Sequence, residues 1–260
     1  VTEQAQGAIA IIPARMGSTR FPGKVLADKT GHPLIWHVHE AARRARRVSR
    51  VVIATDDRRV YETVEAFGGR AVMTGEHENG TSRLSEAARV LGLGAGEIVV
   101  NVQGDEPELD PEVIDDAVEA LVATGAEVAT VASPFGAGED PADPNIVKAV
   151  VGCTGLALYF SRLPIPLDRD GAGARGEGVA RPLKHIGLYA YRVGFLHAYS
   201  GLPATPLERT ERLEQLRVLE HGHRIAVAIR ECHHHGIDTP GQYEAFLGRW
   251  RSGAGERTGS

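Results

Sequence analysis

Apolar positions in the first half of the chain fall into short unbroken runs separated by amphipathic stretches. Ile9-Ala10-Ile11-Ile12, Val51-Val52-Ile53-Ala54 and Ile98-Val99-Val100-Asn101-Val102 read as strands buried on both faces. Arg70-Ala71-Val72 and the run 128–132 add two more. Between them lie predicted helices. One begins near Pro33, which suits a first helical turn, and carries Ile35, Val38 and Ala42 on one side toward Arg46. Others are predicted over 58–67 and 81–91, with a further one opening at Asp110-Pro111. Strand alternating with helix implies crossover connections, so the fold class predicted is α/β: three layers, Rossmann-like, with a mostly parallel central sheet.

The rhythm changes after Ser133. Glycine and proline become frequent, and the strand-like pieces shorten to 146–151, 156–160 and 186–191. Gly171 to Gly178 reads as a mobile loop. A helix over 207–221 and a strand over 225–229 return to the earlier pattern. The predicted organisation is therefore a core of 8–132 and 207–250, an inserted acceptor-binding and dimerisation subdomain over 133–206, and flexible tails at 1–7 and 251–260.

Composition narrows the function classes. With 260 residues, 42% of them hydrophobic, the chain can bury one substantial core. Acids and bases are interspersed at a net charge of -5, which argues against a nucleic-acid partner. The densest basic run, from Arg43 to Arg50, falls at a predicted helix end, where cations offset the macrodipole. The two cysteines have no metal or disulfide spacing and suit a reducing compartment. No apolar run approaches the ~20 residues that span a bilayer, and the first residues lack a signal-peptide core, so the expectation is a cytoplasmic protein with no membrane partner. Cys232-His233-His234-His235 reads as a solvated loop rather than a metal site.

In open parallel sheets, ligands bind beyond the carboxyl ends of the strands. The first strand runs into Pro13-Ala14-Arg15-Met16-Gly17-Ser18-Thr19-Arg20-Phe21-Pro22-Gly23-Lys24, which combines cations with small residues that let backbone amides approach an anion. The 98–102 strand ends in Gln103-Gly104-Asp105-Glu106-Pro107. There Gly104 lets the chain bend and Asp105 offers the hard oxygen that magnesium prefers. A cationic loop and a carboxylate at neighbouring strand ends suggest a metal–nucleotide site.

These segments resemble the 3-deoxy-manno-octulosonate (KDO) cytidylyltransferases. The likeness begins with Ile11-Ile12-Pro13-Ala14-Arg15-x-x-Ser18-Thr19-Arg20-x-Pro22-Gly23-Lys24. It continues through Ala54-Thr55-Asp56-Asp57, Gly80-Thr81-x-Arg83, Val100-Asn101-Val102-Gln103-Gly104-Asp105-Glu106-Pro107, Pro144-Asn145-x-Val147-Lys148 and Ala157-Leu158-Tyr159-Phe160-Ser161-Arg162. It ends with His185-Ile186-Gly187-Leu188-Tyr189, Glu211-x-Leu213-Glu214-Gln215-Leu216-Arg217 and Gly236-Ile237-Asp238-Thr239-Pro240, so it spans about residues 8 to 250. The resemblance implies a nucleotidyltransferase fold and transfer of CMP from CTP to a small acidic acceptor, with pyrophosphate leaving. It also implies a homodimer. Arg15 and Lys24 would hold the CTP phosphates, helped by backbone amides around Ala14, Gly17, Ser18 and Thr19, with Thr81, Arg83 and Gln103 completing the nucleotide site. Asp105 and Asp238 would bind magnesium, two ions with CTP. Arg162, His185, Tyr189, Glu214 and Gln215 would surround the acceptor, with Gln103 close by. Catalysis would rest on Lys24, Arg15 and Asp105.

The alternation over 185–191 is compatible with a pocket wall, since it places Ile186, Leu188 and Ala190 on one face and His185, Gly187, Tyr189 and Tyr191 on the other. Three positions depart from the family pattern: Asn79 where serine is usual, Ser82 where an acid is usual, and Lys184 where arginine precedes the histidine. The expectation is that these leave the nucleotide site alone and bear on the acceptor. Alternative readings keep the chemistry but use a phosphonate such as phosphonoformate, or make the chain a non-catalytic nucleotide-binding regulator. A nicotinamide-dependent dehydrogenase is disfavoured, because the first turn lacks G-x-G-x-x-G.

Overall fold

The computed structural model describes residues 7–77, 79–169, 180–232 and 236–257, with side chains to 253. The loop predicted over 171–178 and the histidines 233–235 lie outside the described residues. Contacts divide the chain into two units: Val1–Leu93 with Asn101–Pro111 and His234–Ser260, and Gly94–Val100 with Glu112–His233.

The first unit opens with β1 (Ala8–Ala14), α1 (Leu34–Arg43), β2 (Val48–Thr55), α2 (Arg58–Ala66), β3 (Ala71–Met73) and α3 (Gly80–Val90). β1 pairs with β2 and β2 with β3, both in parallel, with Ile12 opposite Ile53 and Ala54 opposite Val72. The apolar runs are buried as their unbroken pattern requires: Ile9 to Ile12 and Val52 to Ala54 are all 2% exposed or less. Helical spacing supplies the covering stripes, with Leu34, Ile35 and Val38 on α1, Val60 and Val64 on α2, and Leu84, Ala87 and Ala88 on α3, all fully buried. Asp57 caps α2 by accepting from the Arg59 amide, and Asn79 caps α3 by accepting from the Ser82 amide at 2.9 Å. Pro33 is the residue before α1 rather than inside its first turn. β4 (Ile98–Asn101) leads into Val102, whose amide donates to the Ile11 carbonyl. The 101–105 segment therefore follows β1 on the side opposite β2.

The second unit contains most of α4 (Pro111–Thr124), then β5 (Val128–Pro134), β6 (Lys148–Val151), β7 (Ala157–Ser161), β8 (Leu183–Arg192), α5 (Val193–Tyr199), α6 (Pro206–Glu211), α7 (Gln215–Glu220) and β9 (Ile225–Ile229). β5 pairs antiparallel with β8 and parallel with β9, and β6 pairs antiparallel with β7 and β8. These pairings explain why the contact partition differs from the expected core and insertion: β5 and β9 share their hydrogen bonds with strands of the stretch read as an insertion. The single helix predicted over 207–221 is two. Arg212, at φ 54°, takes the left-handed conformation and ends α6, and α7 starts afresh at Gln215. The Glu208–Arg217 ion pair ties the two helices together.

The chain returns to the first unit through α8 (Pro240–Arg257), so helix replaces the flexible tail predicted from residue 251. Thr239 and Gln242 cap it reciprocally: Gln242 Oε1 accepts from the Thr239 amide at 2.9 Å, and Thr239 Oγ1 accepts from the Gln242 amide at 3.3 Å. Tyr243, Phe246 and Leu247 bury one face against Leu34 and Ile237, with Phe21, Ala27 and Trp250 around them. Each such side chain contributes ~1.5–3 kcal/mol, which anchors the segment carrying Asp238. Among the described residues, no helix is long and apolar enough to cross a membrane.

Candidate active site

A cavity of about 300 Å³ opens in the first unit at the carboxyl ends of the strands. Its wall includes Ala14, Arg15, Gly17, Ser18, Thr19 and Lys24 from the loop after β1, Gln103, Gly104 and Asp105 from beyond β4, and Asp238 from the segment before α8. The loop is shaped by its own backbone: the Met16 carbonyl accepts from the amides of Ser18 and Gly23. Gly23, at φ 69°, holds a left-handed conformation that favours glycine. Lys24 then enters a short 3₁₀ turn that points it inward.

Lys24 is 8% exposed, and its ammonium donates to three oxygens: Asp105 Oδ2 at 2.6 Å, the Ile237 carbonyl at 2.8 Å and Asp238 Oδ1 at 3.0 Å. The other oxygen of Asp238 meets Arg20 at 2.9 Å. The Ile237 amide donates to the Asp105 carbonyl at 2.8 Å, so backbone as well as side chains joins the two segments. Two aspartates far apart in the sequence thus reach one nitrogen. Lys24, expected among the phosphates, sits between those carboxylates, and Arg15 and Arg20 remain exposed on the cavity wall.

Of the other predicted nucleotide residues, Gln103 and Arg83 line the cavity, while Thr81 is buried in the first turn of α3 and does not. The two terminal nitrogens of Arg83 hold Thr74 Oγ1 at 2.8 Å and Asp56 Oδ2 at 2.5 Å, so it braces the ends of β2 and β3. Asn79 also lines the cavity, beside Arg83 and Gln103 of the predicted nucleotide set, so its replacement of serine is not remote from those residues. The substitution is mild because asparagine, like serine, caps a helix well. Ser82 hydrogen-bonds Asn79 through both its amide and its hydroxyl. Lys184 pairs with both oxygens of Glu139, at 2.6 and 2.7 Å. His77 lines the cavity too and was absent from the sequence reading; the signal available was a histidine in the loop that leaves β3 for a capped helix.

The predicted acceptor residues other than Gln103 lie in the second unit. The ring centroids of His185 and Tyr189 are 5.3 Å apart, and Phe160 flanks His185 at 5.1 Å. Burial pushes the His185 imidazole down to about 4 and the Tyr189 phenol well above its ordinary range. Fully buried Thr130 fixes the histidine tautomer. Its single hydroxyl proton has its nearest acceptor in the Leu188 carbonyl at 2.7 Å, so at 2.9 Å from His185 Nε2 the oxygen accepts and Nε2 carries the hydrogen. Arg162 is clamped by three carbonyls, from Glu211 at 2.8 Å, Pro144 at 2.9 Å and Arg212 at 3.5 Å, and its amide donates to the Glu211 carboxylate. Gln215 is buried at the start of α7, and Glu214 precedes it as an exposed residue whose carbonyl accepts from the Tyr199 hydroxyl.

Placed beyond the strand ends of a mostly parallel α/β sheet, cations and carboxylates in one polar cavity mark a nucleotidyltransferase. A family model described as cytidylyltransferase matches residues 9–225. The 3-deoxy-manno-octulosonate cytidylyltransferase of Trichlorobacter lovleyi is 47% identical over 252 residues, which cover 94% of this chain and 99% of that one. Its counterpart in Geobacter sulfurreducens is also 47% identical, covering 92% and 97%. The solved structure of CMP:2-keto-3-deoxy-manno-octonic acid synthetase complexed with CTP superposes with a TM-score of 0.86 at 41% identity, covering 96% of this chain and 99% of that one. A 4-diphosphocytidyl-2C-methyl-D-erythritol synthase, at 15% identity and a TM-score of 0.61, shares the fold. The chain belongs to the cytidylyltransferase family, CTP-dependent nucleotidyltransferases.

Proposed function

We propose that the chain transfers the cytidylyl group of CTP to 3-deoxy-manno-octulosonate, with magnesium, and releases pyrophosphate. The observation that carries the reading is the convergence of Asp105 and Asp238 on Lys24 within the cavity behind the β1 loop. A hydroxyl of the acceptor forms a new bond to the α-phosphorus as the bond to the β-phosphate oxygen breaks. Two carboxylates suit magnesium, which takes one or two of them and completes its shell with phosphate oxygens and water. When bound, magnesium would neutralise charge on the phosphates. Arg15 and Arg20 would bind the same phosphates from the loop, and Lys24 would hold the two carboxylates in position.

Support for the acceptor comes from the relatives named above and from the second unit. The carbonyl-clamped Arg162 guanidinium offers a fixed cation for a carboxylate, and His185 offers its Nδ1 as an acceptor for a sugar hydroxyl. We further propose a homodimer: Leu158, Leu163 and Leu167 stand 65–86% exposed, an apolar surface that a second copy would cover. Light scattering checks the dimer; a monomer at micromolar concentration removes it.

The test is pyrophosphate release from CTP and magnesium with 3-deoxy-manno-octulosonate, its amino analogue and phosphonoformate in parallel. Turnover with the first alone is expected, and turnover with phosphonoformate alone would replace the acceptor. Asp105→Asn keeps an oxygen for Lys24 but removes the charge, so release should fall by about a thousandfold while the fold persists. Undiminished release would remove Asp105 from the reaction.

A further inference from the structure

The loop that leaves β3 is fastened to α3 by several side chains. Arg83 holds Thr74, Asn79 caps the helix, and Glu86, one turn beyond Arg83, reaches back to the loop. Both carboxylate oxygens of Glu86 accept from the Gly75 amide, at 3.2 and 3.1 Å, and Oε2 also meets His77 Nε2 in a short contact. The His77 hydrogen bond holds the Glu86 carboxyl below the usual range, the Gly75 amide acting in the same direction, so Glu86 is ionised and can only accept. The hydrogen therefore lies on Nε2. In the neutral ring Nδ1 is left as a bare acceptor, and it has no partner among the described residues. The side chain is 18% exposed, and His77 is one of the residues that line the cavity.

The topology says which end of the nucleotide this wall meets. Asp105 and Asp238, with Lys24 and Arg20, mark the phosphate end, reached from the 101–105 segment on one side of β1. The loop carrying His77 starts from β3, which lies on the other side of β1 beyond β2. An extended triphosphate at the first end leaves the nucleoside toward the second. Cytosine differs from uracil at one position of its pairing edge: an amine that donates where uracil has an oxygen that only accepts.

We propose that His77 selects the base, its Nδ1 accepting a hydrogen bond from the exocyclic amine of cytosine, and that Glu86 is a positioning residue that fixes the required tautomer. Uracil would set its oxygen against the same lone pair and be rejected. Glutamine at position 86 could donate to Nε2 instead, which would move the hydrogen to Nδ1 and invert the preference. The inference rests on CTP occupying this cavity and is independent of the acceptor.

The experiment measures CTP and UTP binding by titration calorimetry in magnesium, without acceptor, for the wild type, His77→Phe and Glu86→Gln, alongside thermal melting. The wild type should prefer CTP by tenfold or more. His77→Phe should lose about tenfold in CTP affinity with UTP little changed, as expected for one lost hydrogen bond. Glu86→Gln should narrow or reverse the ratio at a melting temperature close to the wild type, a result that mere loosening of the loop would not give. An unchanged CTP-to-UTP ratio in both variants overturns the proposal, as does an equal loss of both nucleotides. Should one variant fail to fold, the ratio in the other decides. A wild type that binds no CTP overturns the reading of the cavity itself, whereas CTP binding without turnover on 3-deoxy-manno-octulosonate faults only the acceptor.

Discussion

Gly104→Ala tests how tightly the two sides of the cavity are joined. A Cβ at residue 104 would stand 2.7 Å from the carbonyl oxygen of Pro13, with Ile12 and Ile35 side chains at 3.6 and 3.8 Å behind it. That is about 0.6 Å inside the ~3.3 Å that a carbon keeps from a carbonyl oxygen. The obstacle is backbone of a parallel-paired strand, so it cannot rotate away as a side-chain tip would. Overpacking of this kind costs about 1–3 kcal/mol, and at about 2–4 °C per kcal/mol in a chain of this size the melting temperature should fall by roughly 5 °C. Activity should fall further. The displaced groups are Pro13, which leads into Ala14 and Arg15, and Asp105, whose carboxylate is bonded to Lys24. A misplacement of even part of an ångström here should lower kcat/KM by about a hundredfold. Scanning calorimetry and pyrophosphate release measure the two effects. A variant that melts within a degree of the wild type and keeps its kcat/KM would show that the close approach of these strands does not set the site.

Lys148 is fully buried, and its ammonium donates to the carbonyls of Asp143, Ile146 and Arg162; Lys148→Met should cost about 3–5 kcal/mol in chemical denaturation by leaving them without a donor, and a loss under 1 kcal/mol would contradict this. Because burial pushes His185 down from 6.5 to about 4, the unfolded chain takes up the proton first as pH falls. Its contribution is complete above about pH 6.5 and declines toward pH 4, by on the order of 3 kcal/mol at most. His185→Gln should flatten the stability profile across that window, and parallel profiles for the two proteins would exclude the effect. Asn79→Ala should destabilise by about 1 kcal/mol and Asn79→Ser by far less, as capping predicts; equal losses in urea titrations would mean that the cap is not what the side chain supplies.

β1 and the buried part of β2 were readable because each is an unbroken apolar run, and burial on both faces requires that pattern. Asp105 and the β1 loop were readable for a related reason: polar residues that directly follow such a run must emerge at its carboxyl end. Other features left no such trace. The stripe Leu213, Leu216 and Leu219 has helical spacing throughout, yet the helix breaks before it. The break lies at Arg212, an arginine in a left-handed conformation where a glycine would have announced it. The reverse holds for α8. Thr239, Pro240 and Gln242 form a start signal, and Tyr243, Phe246, Leu247 and Trp250 a stripe, so the helix was written in the sequence and passed over. The destination of Lys24 had no local signal, since its partners come from residues 105, 237 and 238.

The wall of His185 and Tyr189 shows where strand alternation stops being sufficient. The expected faces hold in outline, with Ile186, Leu188 and Ala190 buried. The pairing with β5, however, puts Thr130 opposite Tyr189 and Val131 opposite Ile186, so Gly187 and Leu188 bulge from the ladder. Nothing in residues 185–191 requires this. The bulge is stabilised by Thr130, whose hydroxyl reaches the Leu188 carbonyl and His185 Nε2. A bulge re-aims the side chains beside it, and here the residue that stabilises it also decides which imidazole nitrogen carries the proton. Alternation can say that a histidine and a tyrosine share a face. Which nitrogen the histidine offers to an acceptor is set by a threonine 55 positions away, and only the pairing of the two strands brings that threonine to it.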